Sequence, residues 1–202
     1  MLSKKLILPT SYFAPIGYYA LIKDNPEFHI EQHEYFIKQT LRNRCLISSA
    51  NGPLFLTIPK QRKSSSKTLI KDLKICYNQP WQKSHWNSIK SSYYSSPFFE
   101  FYMDDLIRFY DKKEKFLLDF NLKIHHFICK ELEIINTGYL TEVYQNSDNI
   151  SDLREENFSI KKQKKYHQVF KQRNGFTKNL SIIDLMCNYG PQTNIYLSQN
   201  KL

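Results

Sequence analysis

The hydrophobic spacing changes near residue 80, from alternation in the first part of the chain to recurrence every fourth residue beyond it. Alternation sends side chains to opposite faces of a strand, whereas recurrence every three or four residues gathers them on one face of a helix. A chain that does both must pack helices against strands. Leu6 to Leu8 reads as a short buried strand ending at Pro9. A loop with Pro15 and Gly17, a short helix from Tyr18 to Lys23 and a second strand from Glu27 to Glu34 follow. Arg44 to Ser48 and Leu54 to Pro59 flank Ala50-Asn51-Gly52-Pro53, whose Asn-Gly pair predicts a hairpin. Leu69 to Tyr77 alternates and is predicted as another strand.

Beyond that point Trp81, His85, Ile89 and Tyr93 mark one helix face, and Ser96-Pro97 predicts the N-cap and first position of a second helix running through Phe109. Phe116, Leu117, Phe120, Ile124, Phe127 and Ile128 predict a third helix, with Gly138 as its stop. Residues 145–165 are mostly Asn, Ser, Asp, Glu and Lys, and are expected to be a flexible loop or flap too polar to contribute core. Tyr166 to Phe170 reads as a short strand, and Ser181-Ile182-Ile183-Asp184 as a capping box opening a helix that ends near Gly190-Pro191. The expected fold is a single mixed α/β domain over residues 1–202, its N-terminal strands and hairpin packed with three or more helices.

A net charge of +10 draws phosphate whatever its source. The lysines are nevertheless spread among many Asn, Ile, Tyr and Phe, as in a chain encoded by A/T-rich sequence. Compositional drift and an anionic partner (nucleotide, phosphate or acidic lipid) both stand as readings. Cys45, Cys76, Cys129 and Cys187 are too far apart in sequence for a zinc or dithiol motif. Lys4 and Lys5 precede an uncharged run, Leu6 to Ile22, that imitates an export signal. Pro9, Thr10, Ser11, Pro15 and Gly17 interrupt it and no small-x-small site follows. A cytoplasmic location with reduced thiols and no transmembrane segment is expected.

Candidate chemistry concentrates between His33 and Cys45. If that segment is extended, Lys38, Thr40, Arg42 and Arg44 share one face and suit a phosphate or carboxylate; a charged sheet edge is the competing reading. His33 is a candidate general acid or base, although the adjacent Glu34 would face the other way on a regular strand. His85 sits between Trp81 and Trp86, where it either faces a planar ligand or completes an aromatic core. The basic runs Gln61 to Lys67 and Lys161 to Lys165 lack the glycines of a phosphate cradle. His125 and His126 diverge by about a hundred degrees of helical arc. No metal site, dinucleotide fingerprint or nucleophile elbow is present, and the cofactor stays unassigned.

Three segments carry a resemblance. They are Leu8-Pro9-Thr10-Ser11-Tyr12-Phe13-Ala14-Pro15-Ile16-Gly17-Tyr18-Tyr19, then Arg42-Asn43-Arg44-Cys45, then Ala50-Asn51-Gly52-Pro53 with Leu56-Thr57-Ile58-Pro59. Trp81-Gln82-Lys83-Ser84-His85-Trp86, the Tyr-Ser-Ser-Pro-Phe-Phe stretch from Tyr94, and Asn179 to Asp184 with Gly190-Pro191 extend it. Together they resemble the WbqC-like family. That resemblance implies a transferase-like role in making a surface polysaccharide of the O-antigen type, on an anionic substrate linked to a nucleotide or a carrier. Leu8-Pro9-Thr10 stands where larger relatives open with His-Gln-Pro, and their C-terminal Ser-Gly-rich motif is missing. On this reading Tyr12, Lys38, Arg42, Asn43, Arg44, Asn51, Trp81 and Trp86 bind substrate, with His33 and His85 as acid or base. The alternative is a noncatalytic protein that holds nucleic acid or a protein partner.

Overall fold

A four-stranded parallel sheet organises the chain, and a computed structural model describes it over residues 5–61, 67–146 and 149–200. The sheet has the order β5-β2-β1-β6. Its central strand β1 (Lys5–Pro9) buries Leu6, Ile7 and Leu8, the continuous apolar run expected of a strand covered on both faces. Helix α1 (Ile16–Asp24) carries the chain back to β2 (Phe28–Glu31), which pairs parallel to β1 with Ile7 opposite His29. Nearly every residue in the first two turns of α1 is buried, because α6 and α7 pack on the same helix.

The Asn-Gly signal is fulfilled by a separate antiparallel hairpin, β3 (Arg44–Ser49) with β4 (Gly52–Thr57). Gly52 sits at φ +106°, which a side chain would resist. Cys45, Ile47 and Leu56 face inward onto α2 (Trp81–Tyr93), so Arg44, Leu46 and Phe55 share the other face. The predicted α2 face is the buried one: Trp81, His85, Ile89 and Tyr93. α3 (Phe99–Asp111) and α4 (Leu117–Glu131) continue the helical layer.

Several expectations are corrected. Leu69 to Tyr77 is not a strand: Ile70–Asp72 forms a 3-10 turn, and Lys74 and Ile75 make single bridges to Phe116 and Lys60. Ser96 does not cap α3; its Oγ donates to the Tyr93 carbonyl at 2.6 Å and closes α2. Gly138 lies past the end of α4 and is needed elsewhere, since a Cβ there would stand 2.3 Å from the Phe28 ring. No strand forms at Tyr166 to Phe170. Ser181 does precede α6 (Ile182–Tyr189), but its Oγ donates to the Phe13 carbonyl at 2.8 Å and no capping box forms.

The largest correction concerns residues 145–165, expected to be too polar for core. The segment supplies β6 (Ile150–Asp152), parallel to β1 with Asp152 opposite Ile7, and buries Phe158 and Ile160. Residues 147 and 148, and residues 62–66 of the basic run from Gln61 to Lys67, lie outside the described residues. β5 (Tyr139–Leu140) forms the other edge of the sheet, and α5 (Lys171–Asn174) and α7 (Thr193–Gln199) complete the chain. Among the described residues no helix is long and apolar enough to cross a membrane.

Candidate functional site

In an open parallel sheet, ligands bind beyond the carboxyl ends of the strands, where the strand order reverses. Here the chain builds outward from β1 through β2 to β5, then returns on the other side of β1 with β6. The reversal lies between β1 and β6. Beyond those two strand ends is a cleft of about 560 Å3 lined by Phe13 and Pro15 after β1, Arg154 to Asn157 after β6, and Arg44, Leu46 and Phe55 from the hairpin. A second cleft of about 670 Å3, lined by His33, Glu34, Tyr144 and Asp152, adjoins it. Ile37, Arg42, Arg154 and Glu155 line both.

Two buried arginines form the partition. Arg42 donates from Nε and Nη2 to the two carboxylate oxygens of Glu34 at 2.6 and 2.5 Å, and from Nη2 to the Arg154 carbonyl at 3.1 Å. Its Nη1 reaches Thr40 Oγ1 at 3.3 Å, so four of its five N–H groups are used within the protein. Burial raises the Glu34 carboxyl above its usual range, and the Arg42 hydrogen bonds oppose that rise. Arg154 donates from Nε to Asp152 Oδ1 at 2.8 Å and lies 4.5 Å over the Tyr144 ring. Those donations hold the Asp152 carboxyl below the usual carboxylate range. Both guanidinium groups are therefore neutralised by bidentate partners.

The cations that keep their charge toward the first cleft are Arg44, whose guanidinium sits 4.6 Å over the Phe55 ring, and the exposed Lys178. The N-terminus of α1 opens beside this cleft, and its first amide is already used, the Ile16 N–H donating to the Leu180 carbonyl at 3.1 Å. Ser181 N–H donates to the Leu46 carbonyl and Ile182 N–H to that of Ala14, so residues 180–182 tie the hairpin to the β1–α1 loop. Phe13, Gln39 and Asn179, all lining the cleft, adopt positive φ angles of 42°, 58° and 54°. Left-handed backbone at residues other than glycine costs about 1–3 kcal/mol each and concentrates where a site must be held in shape.

The candidate residues divide sharply. His33, Arg42 and Arg44 are brought to the paired clefts. The extended array is corrected: residues 38–43 turn, leaving Lys38 exposed and Arg42 buried. Asn43 is structural, donating to the Ile58 carbonyl at 2.9 Å, and Asn51 is exposed in the hairpin turn. Tyr12, Trp81 and His85 are core: Tyr12 Oη lies 2.7 Å from Tyr110 Oη and 3.0 Å from His85 Nδ1. Burial pushes the His85 imidazole down to about 4. Trp86 lines a different cleft, with Tyr77 and Tyr110. Sequence reasoning passed over Arg154, Lys178, Thr141 and Glu31. Glu31 lay inside the predicted strand Glu27 to Glu34 and becomes a strand-end acid only because β2 stops at Glu31; Arg154 lay hidden in the polar segment.

Among the described residues no three His, Cys, Asp or Glu side chains gather as a metal site. No solved structure matches the chain. The uncharacterized protein Rv1507c of Mycobacterium tuberculosis (strain ATCC 25618 / H37Rv) is 28% identical over 134 residues, covering 66% of this chain and 58% of that relative's length. The WbqC-like protein family matches residues 10–154, which run from the end of β1 through the hairpin and helices to Arg154. Most of the chain lies within that match, and the chain belongs to the WbqC-like protein family.

Proposed function

We propose that the chain is one cytoplasmic domain acting as a transferase on an anionic, activated substrate, linked to a nucleotide or to a carrier, in building a surface polysaccharide. The observation that carries this reading is the pair of adjoining clefts at the strand-order reversal, since a transfer needs a donor and an acceptor side by side. The anionic part of the donor fits the cleft with Arg44 and Lys178. Its reacting end points to the partition of Arg42, Arg154 and Glu155. The four free cysteines agree with a reducing compartment, and the glycan role follows the family resemblance.

A ligand that binds only the native state raises its melting temperature. Screening nucleotide sugars, acyl carriers, free nucleotides and short RNA is expected to give a selective shift with one activated donor. Arg44→Ala and Lys178→Ala should each abolish that shift while leaving the ligand-free melting temperature nearly unchanged. A donor shift that persists in both variants would place the anion elsewhere and sink this reading.

One observation favours the noncatalytic alternative. Between residues 157 and 200 seven cations, Lys161, Lys162, Lys164, Lys165, Lys171, Arg173 and Lys178, are all exposed, and the sole acid, Asp184, is buried. A shift seen only with RNA, falling steeply with salt, would select that alternative.

A further inference from the structure

The second cleft contains an imidazole whose Nε2 meets a carbonyl, as that of the core His125 does, but whose Nδ1 is not taken up by neighbouring side chains as that of His125 is. His33 Nε2 lies 3.1 Å from the Thr141 carbonyl oxygen. A carbonyl oxygen only accepts, so Nε2 carries the hydrogen and Nδ1 of the neutral ring keeps its lone pair. Among the described residues that Nδ1 has no hydrogen-bond partner, and His33 lines the cleft partly exposed.

The group that imposes this arrangement is Glu31, fully buried at the carboxyl end of β2. Its Oε1 accepts from the His33 backbone N–H at 2.7 Å and from Thr141 Oγ1 at 2.7 Å; its Oε2 accepts from the Gln145 N–H at 2.9 Å. One carboxylate thus fixes both the backbone of the histidine and the residue whose carbonyl selects its tautomer. Thr141 is held further by its N–H to the Ile30 carbonyl at 3.1 Å, and its own carbonyl also accepts from Gln32 Nε2 at 2.7 Å. Burying a carboxylate is costly unless its oxygens are satisfied. Here Oε1 is given wholly to the surroundings of one partly exposed imidazole, while Oε2 takes the Gln145 N–H and faces the Arg154 guanidinium at 3.9 Å; an outer carboxylate orients a working histidine in the same way.

We propose that the second cleft is an acceptor site for an alcohol or amine, that His33 Nδ1 is its general base, and that Glu31 is the positioning residue acting through Thr141. This rests on the transferase reading of the adjoining clefts. The acceptor's O–H or N–H gives its proton to Nδ1 as its lone pair attacks the electrophilic centre of the donor at the partition. The bond from that centre to the anionic leaving group breaks, and the leaving group departs with the electron pair. The proton on the imidazolium then passes to the leaving group or to solvent, which restores the base.

The tautomer can be read without any substrate. Long-range 1H–15N spectra of histidine-labelled protein above neutral pH, with His33→Gln for assignment, should show His33 as the Nε2–H form. Glu31→Gln, and the volume-preserving Thr141→Val as a milder second variant, should both turn it into a mixture of tautomers. An Nδ1–H form in the wild type, or a tautomer unmoved by both variants, would overturn the proposal. Once the screen has named a donor, His33→Gln should lower kcat by about 10²–10⁴-fold and leave the donor's melting shift intact. Unchanged kcat would overturn the base, whereas loss of the shift in Arg44→Ala but not in His33→Gln keeps the two claims separable.

Discussion

His85 and His33 occupy two regions built on opposite terms. Around His85 the protein completes every demand of the ring: Tyr110 and Tyr12 chain their hydroxyls to Nδ1, and the Thr57 backbone supports the other side. Trp81, Tyr12 and Tyr110 rings surround it. Around His33 the protein satisfies one nitrogen and leaves the other facing a cleft. The difference teaches that a histidine's neighbours in sequence say little about its work. What decides is whether the fold uses up its hydrogen-bonding capacity. The same contrast separates Arg42, with four of its five N–H groups given to Glu34, Thr40 and Arg154, from Arg44 two residues on, which shares a single hydrogen bond with Thr57.

The largest effect should come from the arginine pair. Arg42→Ala leaves Glu34 buried without its partner, and removing one member of a buried ion pair costs about 3–5 kcal/mol. Denaturant unfolding should show a loss of that size for Arg42→Ala and a change below about 1 kcal/mol for Arg44→Ala, where only a stacking contact on Phe55 and one exposed hydrogen bond to Thr57 are lost. Equal losses would erase the distinction between a framing and a ligand-facing arginine.

Next in size is the acid response of the sealed histidine. The folded-state value of about 4 for His85 lies below the ordinary imidazole value of 6.5, so the unfolded chain binds the proton first. The stability His85 contributes is present above pH 6.5 and is lost as pH falls toward 4, amounting to about 3 kcal/mol. Denaturant titrations at pH 7 and pH 4 should show His85→Phe losing about 3 kcal/mol less between the two than the wild type. His125, also pushed by burial to about 4, contributes a similar slope that this substitution leaves in place. A pH dependence indifferent to His85→Phe would mean that the cluster is open to water.

The fold was legible where the determinants are local. The hairpin needed only Asn51-Gly52, and α2 needed only the spacing from Trp81 to Tyr93. Leu69 to Tyr77 misled because it alternates for another reason: its three bridging residues meet different partners, Leu69 meeting Tyr35, Lys74 meeting Phe116 and Ile75 meeting Lys60. β6 was invisible because its partner β1 lies about 145 positions earlier, so no local pattern announces the pairing. The clefts were half legible for the same reason. Arg44 and His33 sit in the segment singled out for its chemistry, whereas Arg154, Lys178 and Thr141 reach the clefts only through long-range contacts. Arg42 was found for its charge, but the turn at residues 38–43 that sends it inward cannot be read from alternation.

The smallest of these effects sharpens the comparison most directly. Tyr12→Phe keeps the buried ring but removes the hydroxyl linking Tyr110 to His85 Nδ1. Two buried polar groups then lack a partner, which costs about 1–3 kcal/mol. If His85 belongs to the core, Tyr12→Phe should lower stability by that amount in denaturant unfolding, yet leave the melting shift produced by an anionic donor unchanged. Full stability together with a lost donor shift would instead move Tyr12 and His85 into the working site and reverse the assignment of the two histidines.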